Sequence, residues 1–305
     1  MAVETRRPAY LALLETGELE RRVEAAWARL AACDLCPHAC GADRLRGQEG
    51  FCRTGNQAVV ASTGPHFGEE APLVGRSGSG AVFFGRCNLR CLYCQNYEIS
   101  QGGEGRPVTP EVLAFLFLAL QEQGCHNVNL VSPSHVIPFI LKAVALAARE
   151  GLRLPLVYNT GGYDAVSALR LLDGVVDIYM PDFKYWDAAT ARRLSGARDY
   201  PAAARAAVLE MHRQVGDLEI GPDRVARRGL LVRHLVLPGG LAGTREVLAF
   251  LAREVSPATW VNLMGQYRPC GRAMDHPPLD RRPLPAEFEA AEAAWRASGL
   301  RNRLG

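Results

Sequence analysis

From residue 81 onward the chain alternates short apolar runs with longer stretches of helical periodicity. The runs are AVFF (81–84), NVNLV (127–131), LPLVY (154–158), VVDIYM (175–180), LLVRHLVL (230–237) and ATWVNLM (258–264). They are close to continuously apolar rather than alternating, as expected of strands covered on both faces. The stretches between them read as helices over 109–123, 135–150, 163–172 and 243–254, with helical segments within 187–215 and a last helix over 285–298. Thr109 and Pro110 supply a cap and a first helical residue. Strand–helix alternation of this kind implies parallel strands joined by right-handed crossovers. An open doubly wound sheet and an α/β barrel both fit, and six units favour a partial (β/α)6 barrel.

The chain before residue 81 is different. Residues 8–31 place Leu19, Val23, Ala26, Trp27 and Leu30 on one helical face. CDLCPHACGADRLRGQEGFCRTG then follows, rich in cysteine, glycine and turn residues and too poor in apolar ones to hold itself together. After a strand-like piece, QAVVAST, come glycine and serine loops. The expected organisation is a helical segment (1–32), a cysteine-rich metal-binding module and loop (33–80), and the partial barrel (81–305).

With 48% hydrophobic and 22% charged residues, the 305-residue chain has the make-up of a globular protein with a sizeable core. A formal net charge of +3 gives no reason to expect nucleic acid or an anionic membrane as partner. The longest apolar run, 112–120, is too short to span a bilayer. The N-terminus lacks the apolar core of a secretory signal, so the expected compartment is the reducing cytoplasm. Nine cysteines, mostly clustered, then point to metal binding rather than to disulfides.

In a parallel α/β fold the functional groups lie on the loops after the strands. The first such loop, GRCNLRCLYCQN, carries Cys87, Cys91 and Cys94. Three thiolates do not complete a zinc tetrahedron, which would have to borrow Cys125, Cys270 or a histidine. A [4Fe-4S] cube would keep one iron open. Packing as plain core cysteines is a poor fit, because Arg86, Asn88 and Arg90 interleave with the thiols. The other group, Cys33, Cys36, Cys40 and Cys52, is a complete set suited either to zinc or to a second iron–sulfur cluster, with His38 able to replace one ligand. A metal there would supply folding energy that the segment otherwise lacks.

The pattern C87NLRC91LYC94 after a first strand resembles that of the radical S-adenosylmethionine enzymes. PHFGEEAPLVGRSGSG, CQNYEISQGGEG, NLVSPSHV, YNTGGY, YMPDFKY, GQYRP and the N-terminal cysteine segment resemble, more narrowly, relatives of pyruvate formate-lyase activating enzyme. The resemblance implies that Cys87, Cys91 and Cys94 hold a [4Fe-4S] cluster and that S-adenosylmethionine chelates its fourth iron. It implies reductive cleavage to a 5′-deoxyadenosyl radical, which takes hydrogen from a protein or small-molecule substrate, and hence an electron donor as partner.

The same resemblance sets Tyr93 near the adenine. It sets Asn159 and Thr160 near the ribose or methionine part, and Asp182 with Lys184 in an Asp-x-Lys element. The usual Gly-Gly-Glu stretch after the second strand is replaced by Ser132, Pro133, Ser134 and His135, so the place is implied rather than the side chains, and Ser134 also suits a helix cap. Of Arg233 and His234 in the fifth strand, one faces inward by alternation. Gln266 and Tyr267 end the sixth strand. His66, Glu69 and Glu70 could reach the cluster end, although an exposed acidic loop is the commoner origin of such residues. Two other readings are a non-catalytic zinc-knuckle protein, and an electron carrier that would need a fourth ligand such as Cys125 or Cys270.

Overall fold

The computed structural model describes residues 7–304. Its strands are β1 (Ala58–His66), β2 (Ser79–Phe84), β3 (Arg106–Val108), β4 (Val128–Val131), β5 (Leu156–Thr160), β6 (Ile178–Pro181), β7 (Glu219–Ile220), β8 (Ala226–Leu235), β9 (Trp260–Met264) and β10 (Asn302–Leu304). They form one sheet in the order β10-β9-β8-β6-β5-β4-β2-β1-β3, with β7 paired to β8 off this path. The six apolar runs correspond to β2, β4, β5, β6, β8 and β9, each parallel to the next. β10 adds a further parallel strand beside β9. β1 pairs antiparallel with β2 and with β3.

The two faces of the sheet differ. Alternate residues of β5 and β6 (Leu156, Tyr158 and Tyr179) face the large core built with the crossover helices, Pro110–Glu122, Ile137–Arg149 and Tyr200–Val215 among them. Val157, Ile178, Met180 and Leu231 face the other way into a smaller cluster. That cluster receives Leu73, from the four-residue helix Ala71–Val74, instead of a crossover helix. An open parallel sheet with its helices on one side is the arrangement of a partial barrel, not of a doubly wound sheet. The molecule is thus an α/β protein with a mostly parallel sheet.

Several helices are shorter than the periodicity suggests. The segment 8–31 is broken at Gly17, whose φ of 71° interrupts it between Tyr10–Glu15 and Glu18–Ala28. The segment 187–215 divides at Gly196, with φ 70°, into Ala188–Ser195 and Tyr200–Val215. Thr109 caps Pro110–Glu122 as expected, its side chain accepting from the Val112 N–H. Ser134 caps nothing: the helix that follows begins at Ile137 with Val136 as its N-cap.

Candidate functional site

The loop after β2 turns at Arg86, which holds a φ of 71°. Ser132, just after β4, holds 60°. Non-glycine residues seldom take this left-handed conformation, and where they do the strain often marks a working site. Beyond Arg86 each of three sulfurs has a hydrogen-bond partner of its own. The Leu89 N–H lies 3.3 Å from Cys87 Sγ, and Ser195 Oγ donates to Cys91 Sγ at 3.0 Å. Ser100 Oγ lies 3.2 Å from Cys94 Sγ. Burial pushes the Cys87 and Cys91 thiols up, against the pull of the Lys184 ammonium. Donors aimed at sulfur and a nearby cation are what a bound thiolate would use.

The three cysteines form one wall of a cavity of about 490 Å³. Ser132, Asn159, Thr160, Asp182 and Lys184, at the ends of the parallel strands, form the facing wall. Tyr93 also lines it, with its ring edge-on to Tyr185 at 6.4 Å and to Tyr267 at 5.8 Å. Gln266 and Tyr267 complete the rim.

Asp182 is held by two cations, Lys184 Nζ at 2.6 Å and Arg233 Nε at 2.7 Å. Burial would raise its pKa, but these two outweigh it and hold the carboxyl below its ordinary value. Burial works against the charge of Lys184 too, and Asp182 and Cys91 overcome it, pushing the ammonium up to about 12. Ser134 stands behind the wall, with Oγ 3.0 Å from Thr160 Oγ1. Thr160 donates in turn to Asp164 at 2.7 Å. This buried polar chain fixes Thr160 in place.

The Radical SAM superfamily profile matches residues 81–221. The uncharacterized protein MJ0674 of Methanocaldococcus jannaschii is 31% identical over 283 residues, covering 90% of this chain and 77% of that one. The chain belongs to the radical S-adenosylmethionine superfamily. Membership brings a [4Fe-4S] cluster and S-adenosylmethionine as cofactors and makes the protein an enzyme of radical chemistry.

Solved radical S-adenosylmethionine structures are more distant. A methyltransferase from Sphaerobacter thermophilus has 17% identity and a TM-score of 0.47, with 73% of this chain and 65% of that one covered. SuiB of Streptococcus suis, bound to its precursor peptide SuiA, has 11% identity and a TM-score of 0.46, covering 72% and 46%. The chain therefore spans less than two thirds of either structure.

The structure decides between alternatives that the sequence of this superfamily member left open. Alternation turns Arg233, not His234, into the cavity. His234 is buried, bonded to the Phe183 carbonyl at 2.7 Å and to Thr244 Oγ1 at 2.9 Å, and burial lowers its pKa to about 4. Glu69 and Glu70 are not an exposed acidic loop. Their side chains are 8% and 6% accessible, and both line the cavity. His66 also lines it. Cys125 and Cys270 do not.

The N-terminal cysteines pack directly against the cysteine loop. His38 Nε2 lies 3.0 Å from the carbonyl oxygen of Asn88, and its ring stacks on Phe51 at 3.8 Å. Arg90 donates to the Phe51 carbonyl at 2.9 Å. Arg53 donates to the Gln101 carbonyl, and Gln101 to the Cys91 carbonyl at 3.0 Å. Cys33, Cys36 and Cys52 are buried and Cys40 is exposed. Burial, and after it the thiols of Cys52, Cys33 and Cys40, raise the Cys36 pKa to about 12, so the four belong to one neighbourhood. Among the described residues, no three His, Cys, Asp or Glu side chains gather closely enough to hold a single metal ion.

Proposed function

We propose that Cys87, Cys91 and Cys94 hold the [4Fe-4S] cluster, that its fourth iron is left for S-adenosylmethionine, and that a substrate C–H bond is placed in the cavity below. The observation that carries this reading is the wall of three thiols, each with its own hydrogen-bond partner, in a cavity that no fourth cysteine lines. When bound, the cluster and S-adenosylmethionine supply a 5′-deoxyadenosyl radical able to take a hydrogen atom from substrate. The protein supplies ligation, orientation and exclusion of water.

Its own residues divide these tasks. Leu89 and Ser195 donate to two of the sulfurs, and Ser100 stands within hydrogen-bond distance of the third, an arrangement that favours the thiolate form. Tyr93, wedged between two other tyrosines, gives an apolar wall for an adenine ring. Ionised Asp182 is an acceptor for ribose hydroxyls, and Asn159 and Thr160 stand beside it. Lys184 offers a point charge to a carboxylate. Ser132 presents the backbone after β4, and Ser134 acts only through Thr160. The substrate is a protein or a small molecule. The finer reading, activation of a glycyl-radical protein, follows from the sequence pieces similar to the activating enzyme, and it requires a one-electron donor.

The N-terminal cysteines form a second metal centre in this reading. Four thiols that share one neighbourhood suit either a structural zinc or a second iron–sulfur cluster, and metal analysis of anaerobically purified protein separates the two. Anaerobic reconstitution with iron and sulfide tests the assignment. The loop cluster's electron paramagnetic resonance signal should change on adding S-adenosylmethionine. Alanine at Cys87, Cys91 or Cys94 should abolish that change, and alanine at Cys125 or Cys270 should not. If either of the last two is required, the cluster is closed and the carrier reading is correct.

A further inference from the structure

We propose that the floor of the cavity is a cation site, in which Glu70, with Glu69 beside it, holds a primary ammonium or guanidinium group of the substrate. The inference rests on the proposed function only for what the cavity is for; the geometry stands by itself. The loop between β1 and β2 starts at the end of β2 opposite the cysteine loop, since His66 pairs with Ser79. Anchored by the fully buried Leu73, it nevertheless delivers Glu69 and Glu70 to the cavity that the cysteines line. The glutamates thus enter from the far mouth of the barrel, facing the radical source.

The bonding there is incomplete. Glu70 Oε1 accepts from Asn262 Nδ2 at 3.0 Å, while Glu70 Oε2 is buried with no hydrogen-bond partner among the described residues. Glu69 Oε1 accepts from Asn159 Nδ2 at 3.4 Å. Arg233 reaches the two glutamates only at 3.5 and 3.8 Å, because its shorter bonds go to Asp182 and, at 2.7 Å, to Asn159 Oδ1. Lys184 is bonded to Asp182. Three carboxyl groups therefore share two cations, and in Glu70, which lines the cavity, one buried carboxylate oxygen is left without a donor. A buried acceptor of this kind is costly unless something donates to it. A positively charged nitrogen meets both needs, and a substrate carboxylate would be repelled.

Without a cation the pair can hold a proton instead. Burial first, and then Glu70, raise the Glu69 pKa to about 7, against the pull of Arg233. A bound cation must displace that proton. The charged groups paired with the two glutamates are Arg233, with Asp182 and Lys184 beyond it, and none of these three titrates near neutrality; His66 lines the same cavity, so the pH series is repeated in His66→Gln, where the dependence should persist.

The test uses propylammonium and propylguanidinium as probes, with 1-propanol and butyrate as neutral and anionic controls. Thermal stability of the reconstituted protein is followed at millimolar probe. Both cations should raise Tm and the controls should not. The rise should shrink as pH falls below about 7 and disappear in Glu70→Gln, whose iron content reports whether it has folded. Should that variant not fold, the pH dependence in the unaltered protein still decides. Equal shifts from propanol and propylammonium, or a cation shift indifferent to pH, would overturn the site. Loss of the S-adenosylmethionine effect on the cluster signal would instead count against the proposed function, leaving the cation result unaffected.

Discussion

At the scale of single residues the cavity is governed by Arg233. It bridges Asp182, Asn159 and the two glutamates, so its removal leaves three carboxyls facing Lys184 alone. Breaking a buried pair from one side costs about 3–5 kcal/mol. Arg233→Leu should lower unfolding stability by an amount of that order, measured by urea titration of cluster-free protein. A lone strand histidine such as His234 is more often a core residue, but alternation alone does not say which face is inward; the lining of the cavity shows that it is Arg233.

Glu69 carries a pH dependence of definite sign. Its folded pKa, about 7, lies above the ordinary 4.5 because of burial. The stability linked to its protonation is fully present below 4.5 and is lost as pH rises through about 7. The loss is about 3 kcal/mol at 1.36 kcal/mol per unit. Glu69→Gln should flatten this slope between pH 5 and 7 in a series of denaturant titrations, and an unchanged slope would assign it to another group.

At the scale of elements, the loops hold the strand ends in register with one another. Gly162 has a φ of 77°, and a Cβ there would lie 2.2 Å from the Asp182 carbonyl oxygen. Gly162→Ala would pay about 1–2 kcal/mol for the left-handed backbone and displace the end of β6 as well. The expected result is weaker S-adenosylmethionine binding, by calorimetry, with the loop cluster's iron retained. Gly50 has a similar place in the N-terminal segment, where a Cβ would lie 2.2 Å from Cys40 Sγ. Gly50→Ala should push this thiol aside and lower the metal content of the second centre by elemental analysis.

Of the six parallel strands, β2, β4, β5 and β6 were legible because they are buried on both faces and therefore nearly continuously apolar, while in β9 only alternate residues are fully buried. β3 and β10 were not legible, since each is three residues long and lies at an edge, with exposed or half-buried side chains. The inward course of Glu69 and Glu70 was one of two readings, and the sequence could not choose between them for another reason. Their partners lie far along the chain, Asn262 being 192 residues from Glu70, and local pattern carries no such information.

At the scale of the whole molecule, the cysteine loop lies between two supports. The partial barrel faces it with strand ends, and the N-terminal segment grips it from behind through His38, Arg53 and Arg90. Among the described residues no helix is long and apolar enough to cross a membrane. The three loop thiols and their spacing were fully legible in the sequence, because metal ligands set close together in sequence signal themselves locally. Their hydrogen-bond donors were not, since Ser195 lies 104 residues from Cys91.

The central claim is that the three-cysteine wall leaves an iron open for S-adenosylmethionine. Its most direct test is to reduce the anaerobically reconstituted protein in the presence of S-adenosylmethionine and follow 5′-deoxyadenosine by chromatography. The account predicts steady release of 5′-deoxyadenosine and methionine, abolished by Cys91→Ala. A fully loaded and reduced cluster that releases neither would contradict it.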